Sequence, residues 1–281
     1  MIILLYHRIA RLEHDPWGIA VTPERFETHL RVLKLFFRPV PLVTLLAAAR
    51  AGRARRMVSI TFDDGYADLI DAERLLAKHR VPATMFISSG PVVDGTEFWW
   101  DALDHLVKGP QERQTLWREL KNLPDEERRR RLSGTWNAAP DEANRALSAT
   151  ELQQLARSPW ITIGSHGRSH SSLAALDRAG QEDEAVRSRR ELEEITGKAV
   201  TLFAYPFGNR EDFSATTIEV VRNAGYEYAF SGAAATLQRD FDPYDVPRCE
   251  IVDDGALSFT RRLVRYLRSG RRSDSRSDSR R

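Results

Sequence analysis

The chain has 281 residues, 42% of them hydrophobic and 29% charged, a balance typical of a globular protein with one α/β barrel or two smaller domains. Its net charge of +2 is unevenly distributed, because the segment from Arg268 onward has six Arg and two Asp and leaves −2 for residues 1–267. This mildly acidic main part argues against nucleic-acid binding, and the single cysteine, Cys249, excludes an internal disulfide and favours a reducing compartment.

The N-terminal stretch MIILLYHRIA predicts a strand rather than a targeting signal. It lacks a basic n-region, and His7 and Arg8 interrupt it after five apolar or aromatic residues. It is therefore too short for the apolar part of a signal peptide and for a membrane span. From it we expect a cytoplasmic protein without a transmembrane segment.

Short apolar runs alternate along the chain with stretches of helical periodicity. The runs predict seven strands, at Ile2–Tyr6, Met57–Phe62, Ala83–Ile87, Ile161–Ile163, Val200–Ala204, Glu227–Phe230 and Asp245–Ile251. The periodic stretches predict helices at Pro23–Phe36, Tyr66–Arg80, Ser148–Arg157, Asp177–Ile195 and Ser214–Asn223. Such alternation predicts an α/β fold in which a mainly parallel sheet is covered by helices.

Two segments depart from this alternation. Residues 90–147 predict a helical insertion that contains four large aromatic side chains, Phe98, Trp99, Trp100 and Trp117. These side chains favour a small satellite core over a platform for stacking sugars. The basic tail, residues 268–281, is a polar repeat with nothing to bury and predicts disorder.

Two adjacent carboxylates follow the second predicted strand, in SITFDDGY (59–66). Asp63 and Asp64 stand between a buried strand end and the turn residue Gly65. Adjacent side chains on an extended backbone point to opposite sides, so the two carboxylates can serve two different roles.

Two histidines follow the fourth predicted strand, in ITIGSHGRSHSSL (161–173). A helical turn would bring His166 and His170 to one side, although this spacing alone is more typical of a solvated polar turn. Because the carboxyl ends of parallel strands open onto one face of a barrel, we expect these histidines to meet Asp64. Two imidazoles and one carboxylate commonly bind a catalytic divalent metal, which leaves Asp63 as a base for the attacking water.

Four motifs in these regions resemble those of polysaccharide deacetylases, the carbohydrate esterase family 4 or NodB homology domain. They are TFDDGY (61–66), SHGRSH (165–170), FAYPFG (203–208) and VPRCEI (246–251). The resemblance covers residues 1–267 as one domain. It implies a distorted (β/α) barrel of about seven parallel strands, with the helical insertion, that hydrolyses N-acetyl groups on amino sugars.

The resemblance also implies roles for individual residues. Asp63 would be the general base, and the metal ligands would be Asp64, His166 and His170. The metal implied is Zn²⁺, with Co²⁺, Ni²⁺ and Mn²⁺ as alternatives. The backbone N–H of Phe207 would help to hold the developing oxyanion.

The chain departs from the family pattern at two positions. Typical members have an arginine where this chain has Ala204, so we expect Arg248 to orient the base instead, with a structural salt bridge as an equal alternative. The usual late histidine is missing, since no histidine follows His170. We expect His7, at the end of the first strand, to supply the general acid, because the first and last strands of a closed barrel are neighbours. A buried structural histidine is the alternative.

The remaining aromatic and histidine residues carry weaker expectations. Trp17 is expected either to line the cleft or to anchor its loop. The other histidines, His14, His29, His79 and His105, are expected at the surface.

Several functional alternatives stay open at this point. One is a deformylase, or another C–N hydrolase acting on a lipid- or nucleotide-linked sugar, because the motifs do not contain the acyl pocket. Another is a metal-containing glycan-binding protein without turnover. The expected substrate is an amino sugar or glycan precursor handled inside the cell, and the motifs do not specify an oligomeric state.

Overall fold

The structure is a computed structural model that describes residues 1–134, 136 and 142–277, with side chains as far as Arg268. The strands in this part are β1 Ile2–Tyr6, β2 Arg8–Ile9, β3 Ala20–Val21, β4 Arg38–Pro39, β5 Met57–Phe62, β6 Ala83–Ile87, β7 Ile161–Ser165, β8 Leu202–Ala204, β9 Tyr228–Phe230 and β10 Cys249–Glu250. The helices are α1 Pro23–Phe36, α2 Leu42–Arg50, α3 Leu69–His79, α4 Ser89–Asp94, α5 Trp99–Asp104, α6 Pro110–Lys121, α7 Asp125–Arg131, α8 Ala149–Arg157, α9 Arg178–Thr196, α10 Ala215–Asn223 and α11 Ala256–Ser277.

Within the described residues the main sheet has eight parallel strands, of which seven follow the spatial order β10-β1-β5-β6-β7-β8-β9 and the eighth, β4, pairs with β5 beside this path. The first strand lies between the last strand and β5, with Leu4 opposite both Cys249 and Ile60. At the other edge, a parallel bridge between Phe230 and Val246 joins β9 to the segment that leads into β10. The sheet therefore curls into a distorted (β/α) barrel, and the predicted fold class is confirmed.

The long strands are apolar on both faces because helices cover the outside of the sheet and side chains fill the inside. All five residues of β1 and all six of β5 are buried. Alternate residues of β1 pack against the helical layer, whereas Ile3 packs with Phe86 and other residues on the inner face. A Cβ atom at Gly164 would stand 2.5 Å from the Phe86 ring, so glycine there allows this ring to fill the interior.

The insertion is helical, as predicted, and consists of α4 to α7 within the described residues. Its aromatic side chains form a separate apolar cluster with Tyr66, a small satellite core. Antiparallel bridges from Tyr66 to Ala146 and from Glu97 to Arg145 join the ends of the insertion to the barrel. Residues 135 and 137–141 lie outside the described part.

Two helices outside the insertion, α2 and α11, were not among the predicted elements. Helix α11 continues to Ser277, so residues 268–277 are helical where the composition predicts disorder, and residues 278–281 lie outside the described part. None of the described helices combines the length and apolar character needed to cross a bilayer.

The expectation that His29 lies at the surface is wrong. His29 is fully buried between α1 and α11, where its ring stacks on Phe259 with 3.9 Å between the centroids. Its ring nitrogens lie 3.2 Å from the Tyr6 hydroxyl and 2.7 Å from the Asp254 carbonyl oxygen. Helical periodicity alone did not place His29 on the buried stripe, because its polar atoms are satisfied by residues distant in the sequence.

Candidate active site

The two adjacent carboxylates lie where β5 ends, beside the ends of β1 and β6. The Asp63 N–H donates to the Tyr6 carbonyl oxygen, and the Asp64 carbonyl oxygen accepts from the Ser88 N–H. Asp64 has a φ of 72°, in the left-handed region that non-glycine residues seldom adopt. The backbone is therefore a turn at Asp64 rather than extended, and both carboxylates line one cleft while contacting different partners.

The two histidines belong to the loop that follows β7, and this loop is not helical. The His166 N–H donates to the Ile87 carbonyl oxygen at the end of β6. Positive φ values at Gly167 (73°) and His170 (53°) bend the chain, and the two imidazole centroids lie 4.8 Å apart. The expected convergence of the imidazoles is present, but a bent loop produces it instead of a helical turn.

Asp64 completes this cluster. Its Oδ1 lies 3.3 Å from His170 Nε2 and 3.7 Å from His166 Nε2. Three potential ligand atoms, one from each residue, all lie within 4.8 Å of one another. Ligand atoms about 2.0–2.1 Å from a tetrahedral zinc stand roughly 3.3 Å apart, so the spacing and the donor types both fit a divalent cation.

The protonation state of His166 also suits a metal ligand. Its Nδ1 lies 2.8 Å from the Ala204 carbonyl oxygen and donates to it, which leaves the Nε2 lone pair directed toward the cluster. Burial lowers the pKa of His166 to about 4, so the imidazole is neutral near pH 7. For Asp64, burial acts to raise the pKa, but the hydrogen bond from His170 and the neighbouring imidazoles lower it below its ordinary value.

Asp63 has a different partner, the buried guanidinium of Arg248. The two side chains form a bidentate pair, with distances of 2.6 Å from Nη1 to Oδ1 and 2.7 Å from Nη2 to Oδ2. Arg248 also donates to the Ser231 carbonyl oxygen and to Thr61 Oγ1. Burial acts to raise the pKa of Asp63, but the charge of Arg248 and its hydrogen bonds lower it, so the carboxylate is ionised near pH 7.

The remaining two predicted catalytic residues line the same cleft, Phe207 after β8 and His7 after β1. Phe207 has a φ of 63°, and its ring packs edge-on against His170 with 4.6 Å between centroids. Among the described residues, no acceptor is bonded to the Phe207 N–H. His7 is half-buried, and β1 lies beside β10 as the sequence argument required. The catalytic roles of these residues stay predictions.

The insertion forms an aromatic wall of the cleft, whose volume is about 310 Å³. Trp100 packs edge-on against His170 and donates through Nε1 to the Tyr66 hydroxyl, which donates to Asp101. Burial raises the pKa of Asp101 to about 7. Trp117 lies on the same wall, so two tryptophans of the satellite core also line the cleft.

Several lining residues were not predicted from the sequence. They are Leu5, Ile19, Asn209, Gly232 and Glu250. Glu250 follows Arg248 by two residues at the end of the last strand, and this i, i+2 spacing was a signal that could have identified it. Trp17 lines the cleft, one of the two positions considered for it.

Comparisons with known proteins point to one family. A family model described as polysaccharide deacetylase matches residues 50–229. A peptidoglycan deacetylase of Helicobacter pylori (strain ATCC 700392 / 26695) is 32% identical over 84 residues, which are 30% of this chain. The match spans only 26% of the length of that relative.

Solved structures share the fold over most of the chain. The Streptococcus pyogenes deacetylase PplD, solved in complex with acetate, matches with a TM-score of 0.69 at 16% identity, over 95% of this chain and 97% of that one. A de-N-acetylase from Aggregatibacter actinomycetemcomitans matches with a TM-score of 0.66 at 15% identity, over 92% and 98%. IcaB from Ammonifex degensii matches with a TM-score of 0.63 at 20% identity, over 89% and 91%. At these identities the likeness concerns the fold.

Proposed function

The chain belongs to the polysaccharide deacetylase family, and from that premise we propose that it is a metal-dependent hydrolase that removes N-acetyl groups from an amino sugar, a glycan or a glycan precursor. The observation that carries the proposal is that the two adjacent carboxylates have different partners. Asp64 lies against two imidazoles, and Asp63 is held by Arg248. A receptor without turnover would not need a second ionised carboxylate beside the ligand cluster.

The proposed metal ligands are Asp64 Oδ1 and the Nε2 atoms of His166 and His170. A divalent cation held there, Zn²⁺ in the first instance, would polarise the acyl carbonyl and make the attacking water more acidic. Three protein ligands leave room for water and substrate in a catalytic site. The cleft opens directly onto these atoms, so an acetamido group can reach them.

Asp63 is proposed to take the proton from the attacking water. A carboxylate has about four lone-pair directions, and the bidentate pair with Arg248 uses two of them. Asp63 Oδ2 lies 3.6 Å from His166 Nε2, which places the base next to the ligand cluster. Arg248 thus holds the carboxylate ionised and fixed in orientation while a lone pair stays available.

Two further groups are proposed to act on the tetrahedral intermediate. The Phe207 N–H donates to the developing oxyanion, where a positioned donor has its greatest effect. When the C–N bond breaks, His7 in its protonated form gives its proton to the leaving nitrogen. Water has then supplied the oxygen of the released acetate, and the sugar keeps a free amine.

The test combines metal analysis with product analysis on the purified chain. Acetate and free amine are measured with N-acetylated sugars in free, nucleotide-linked, lipid-linked and polymeric form, and formate is measured with N-formyl counterparts. We expect equal amounts of acetate and amine, lost on treatment with a chelator and restored by Zn²⁺. Formate release alone would favour the deformylase, and metal-dependent glycan binding without any product would contradict an enzymatic function.

A further inference from the structure

Two cationic side chains of the insertion are buried against the candidate active site. Lys121, at the end of α6, is 5% exposed, and Arg128, on α7, is fully buried. Lysine and arginine are seldom buried to this extent unless they are paired. Each of the two contacts a different loop of the site.

Arg128 contacts the loop that carries His170. Its Nη2 donates to the Ser169 carbonyl oxygen (3.1 Å), to Ser169 Oγ (2.9 Å) and to Ser171 Oγ (2.6 Å). Its Nη1 lies 3.4 Å from the His170 carbonyl oxygen. The guanidinium therefore contacts the residue before His170, the residue after it, and His170 itself.

The same loop is also held by Glu184 of α9, which accepts hydrogen bonds from the backbone N–H groups of Arg168 and Ser169. Between these two anchors His170 keeps its left-handed φ of 53°. Such a conformation persists in a non-glycine residue only where the surrounding structure enforces it. Arg128 supplies that constraint from the insertion.

Lys121 contacts the loop that follows Phe207. Its Nζ lies 2.6 Å from the carboxylate of Asp212, which is itself buried. Asp212 also accepts hydrogen bonds from Asn209 Nδ2 and from Ser172 Oγ. The Lys121 ammonium stands 4.7 Å from the centre of the Phe207 ring, within the range of a cation–π interaction.

We infer that Arg128 and Lys121 are positioning residues, through which the insertion completes the site on the barrel. Arg128 sets the position of His170 and thereby the affinity for the metal. Lys121, through Asp212, sets the position of the Phe207 N–H and thereby the rate of the acyl step. The parts assigned to His170 and Phe207 rest on the proposed function.

The alternative is that both cations only stabilise the fold. In that case a substitution at either position would lower the unfolding temperature of the metal-free chain and would affect metal affinity and turnover to similar extents. If they are positioning residues, we expect a split between the two effects, because the two side chains contact different loops. Substitution of Arg128 should then affect mainly metal affinity, and substitution of Lys121 mainly turnover. The split can be measured with one substitution at each position and an exposed neighbour as its control.

The first experiment measures Zn²⁺ affinity by competition with a chromophoric chelator. Arg128→Met should weaken Zn²⁺ binding about 10- to 100-fold, the range typical for groups that orient metal ligands. Ser171→Ala, which removes one acceptor of Arg128, should weaken it less and provides the test if Arg128→Met does not fold. The control is Arg130→Gln, an exposed position on the same helix whose ion-pair partner Glu127 lies on that helix as well. Wild-type affinity in Ser171→Ala and in folded Arg128→Met would overturn the role of Arg128.

The second experiment compares Lys121→Met with Arg118→Gln, an exposed position on the same helix. Lys121→Met should keep its Zn²⁺ affinity within about twofold of wild type, lower kcat about tenfold at unchanged KM, and speed amide hydrogen exchange in residues 207–212. Zinc affinity and hydrogen exchange need no substrate, so they test positioning even if the proposed reaction is wrong. Wild-type exchange, or a loss of Zn²⁺ affinity as large as that of Arg128→Met, would overturn the role of Lys121.

Discussion

The barrel and the insertion contribute to one cleft in different ways. The barrel supplies the groups with reactive chemistry from its strand ends, among them Asp63, His166 and Arg248. The insertion supplies an aromatic wall and the two buried cations that contact the loops of the site. This difference suggests that the catalytic reaction and the binding of the substrate depend on different residues. Substitutions at strand ends should then impair the reaction with every substrate, and substitutions in the wall should change binding.

The largest effect is expected at the barrel's adjacent carboxylates and their neighbours. Asp63→Asn keeps the size of the side chain but removes the basic lone pair, so kcat should fall about 10³-fold, within the range for general base catalysis. The metal content per chain should be unchanged, whereas His166→Ala should lose both metal and activity. Kinetics with elemental analysis measure both quantities. Turnover of Asp63→Asn within a few-fold of wild type would refute its assigned role.

The next effect is expected for Arg248→Met, which leaves the charge of Asp63 buried and unpaired. Arg248 lowers the pKa of Asp63, and activity requires the ionised carboxylate, so removing the guanidinium should move the acid limb of the pH–rate profile to higher pH. Breaking a buried pair should also lower the free energy of unfolding by about 3–5 kcal/mol.

A surface ion pair provides the control for Arg248. Arg210→Gln removes a side chain that is 75% exposed and paired with Asp245, and exposed pairs contribute at most about 1 kcal/mol. The pH–rate profile of this variant should coincide with that of wild type. An unshifted acid limb in Arg248→Met would mean that Arg248 stabilises the fold without tuning the base.

The residues at the strand ends could be predicted from the sequence because short local motifs mark them and one general rule brings them together. Each apolar run marked a strand, and parallel strands bring their carboxyl ends to one face. Asp64, His166 and His170 could therefore be grouped before any coordinates. The backbone conformation at these residues could not be predicted, since the left-handed turn at Asp64 depends on contacts with neighbouring strands.

The insertion was predictable only as helical and aromatic. The contacts of Arg128 with Ser169 and Ser171 join residues about forty positions apart and leave no periodic trace in the sequence. Burial of His29 was missed for the same reason, because its partner Asp254 is 225 residues away. The cytoplasmic location stays a prediction from the N-terminal stretch.

A smaller effect is expected for His7→Ala, and the choice of substrate can isolate its role. If His7 protonates the leaving amine, amide hydrolysis should slow about 10²-fold, while hydrolysis of an aryl acetate, whose leaving group needs no proton, should change little. Both rates are measured on the same preparation, so the ester serves as the internal control. Equal losses on amide and ester would point to a structural histidine.

The smallest effect is expected in the wall, at Trp117. Its ring packs edge-on against Phe207 with 5.5 Å between centroids and lines the cleft without contacting the ligand cluster. Loss of an aromatic contact of about 0.5–1.5 kcal/mol should raise KM roughly 2- to 12-fold in Trp117→Ala, at unchanged kcat and metal content.

Trp160→Ala removes a tryptophan that lies next to β7 and does not line the cleft, so it controls for the general loss of a large side chain. This variant should keep the wild-type KM. If Trp117→Ala instead lowered kcat as strongly as Asp63→Asn, the wall would act on the reacting atoms, and the separation of chemistry at the strand ends from substrate fit in the aromatic wall would fail. A rise in KM confined to the sugar substrates, with the aryl acetate unaffected, would support this separation, because the wall would then contact the sugar and not the acyl group.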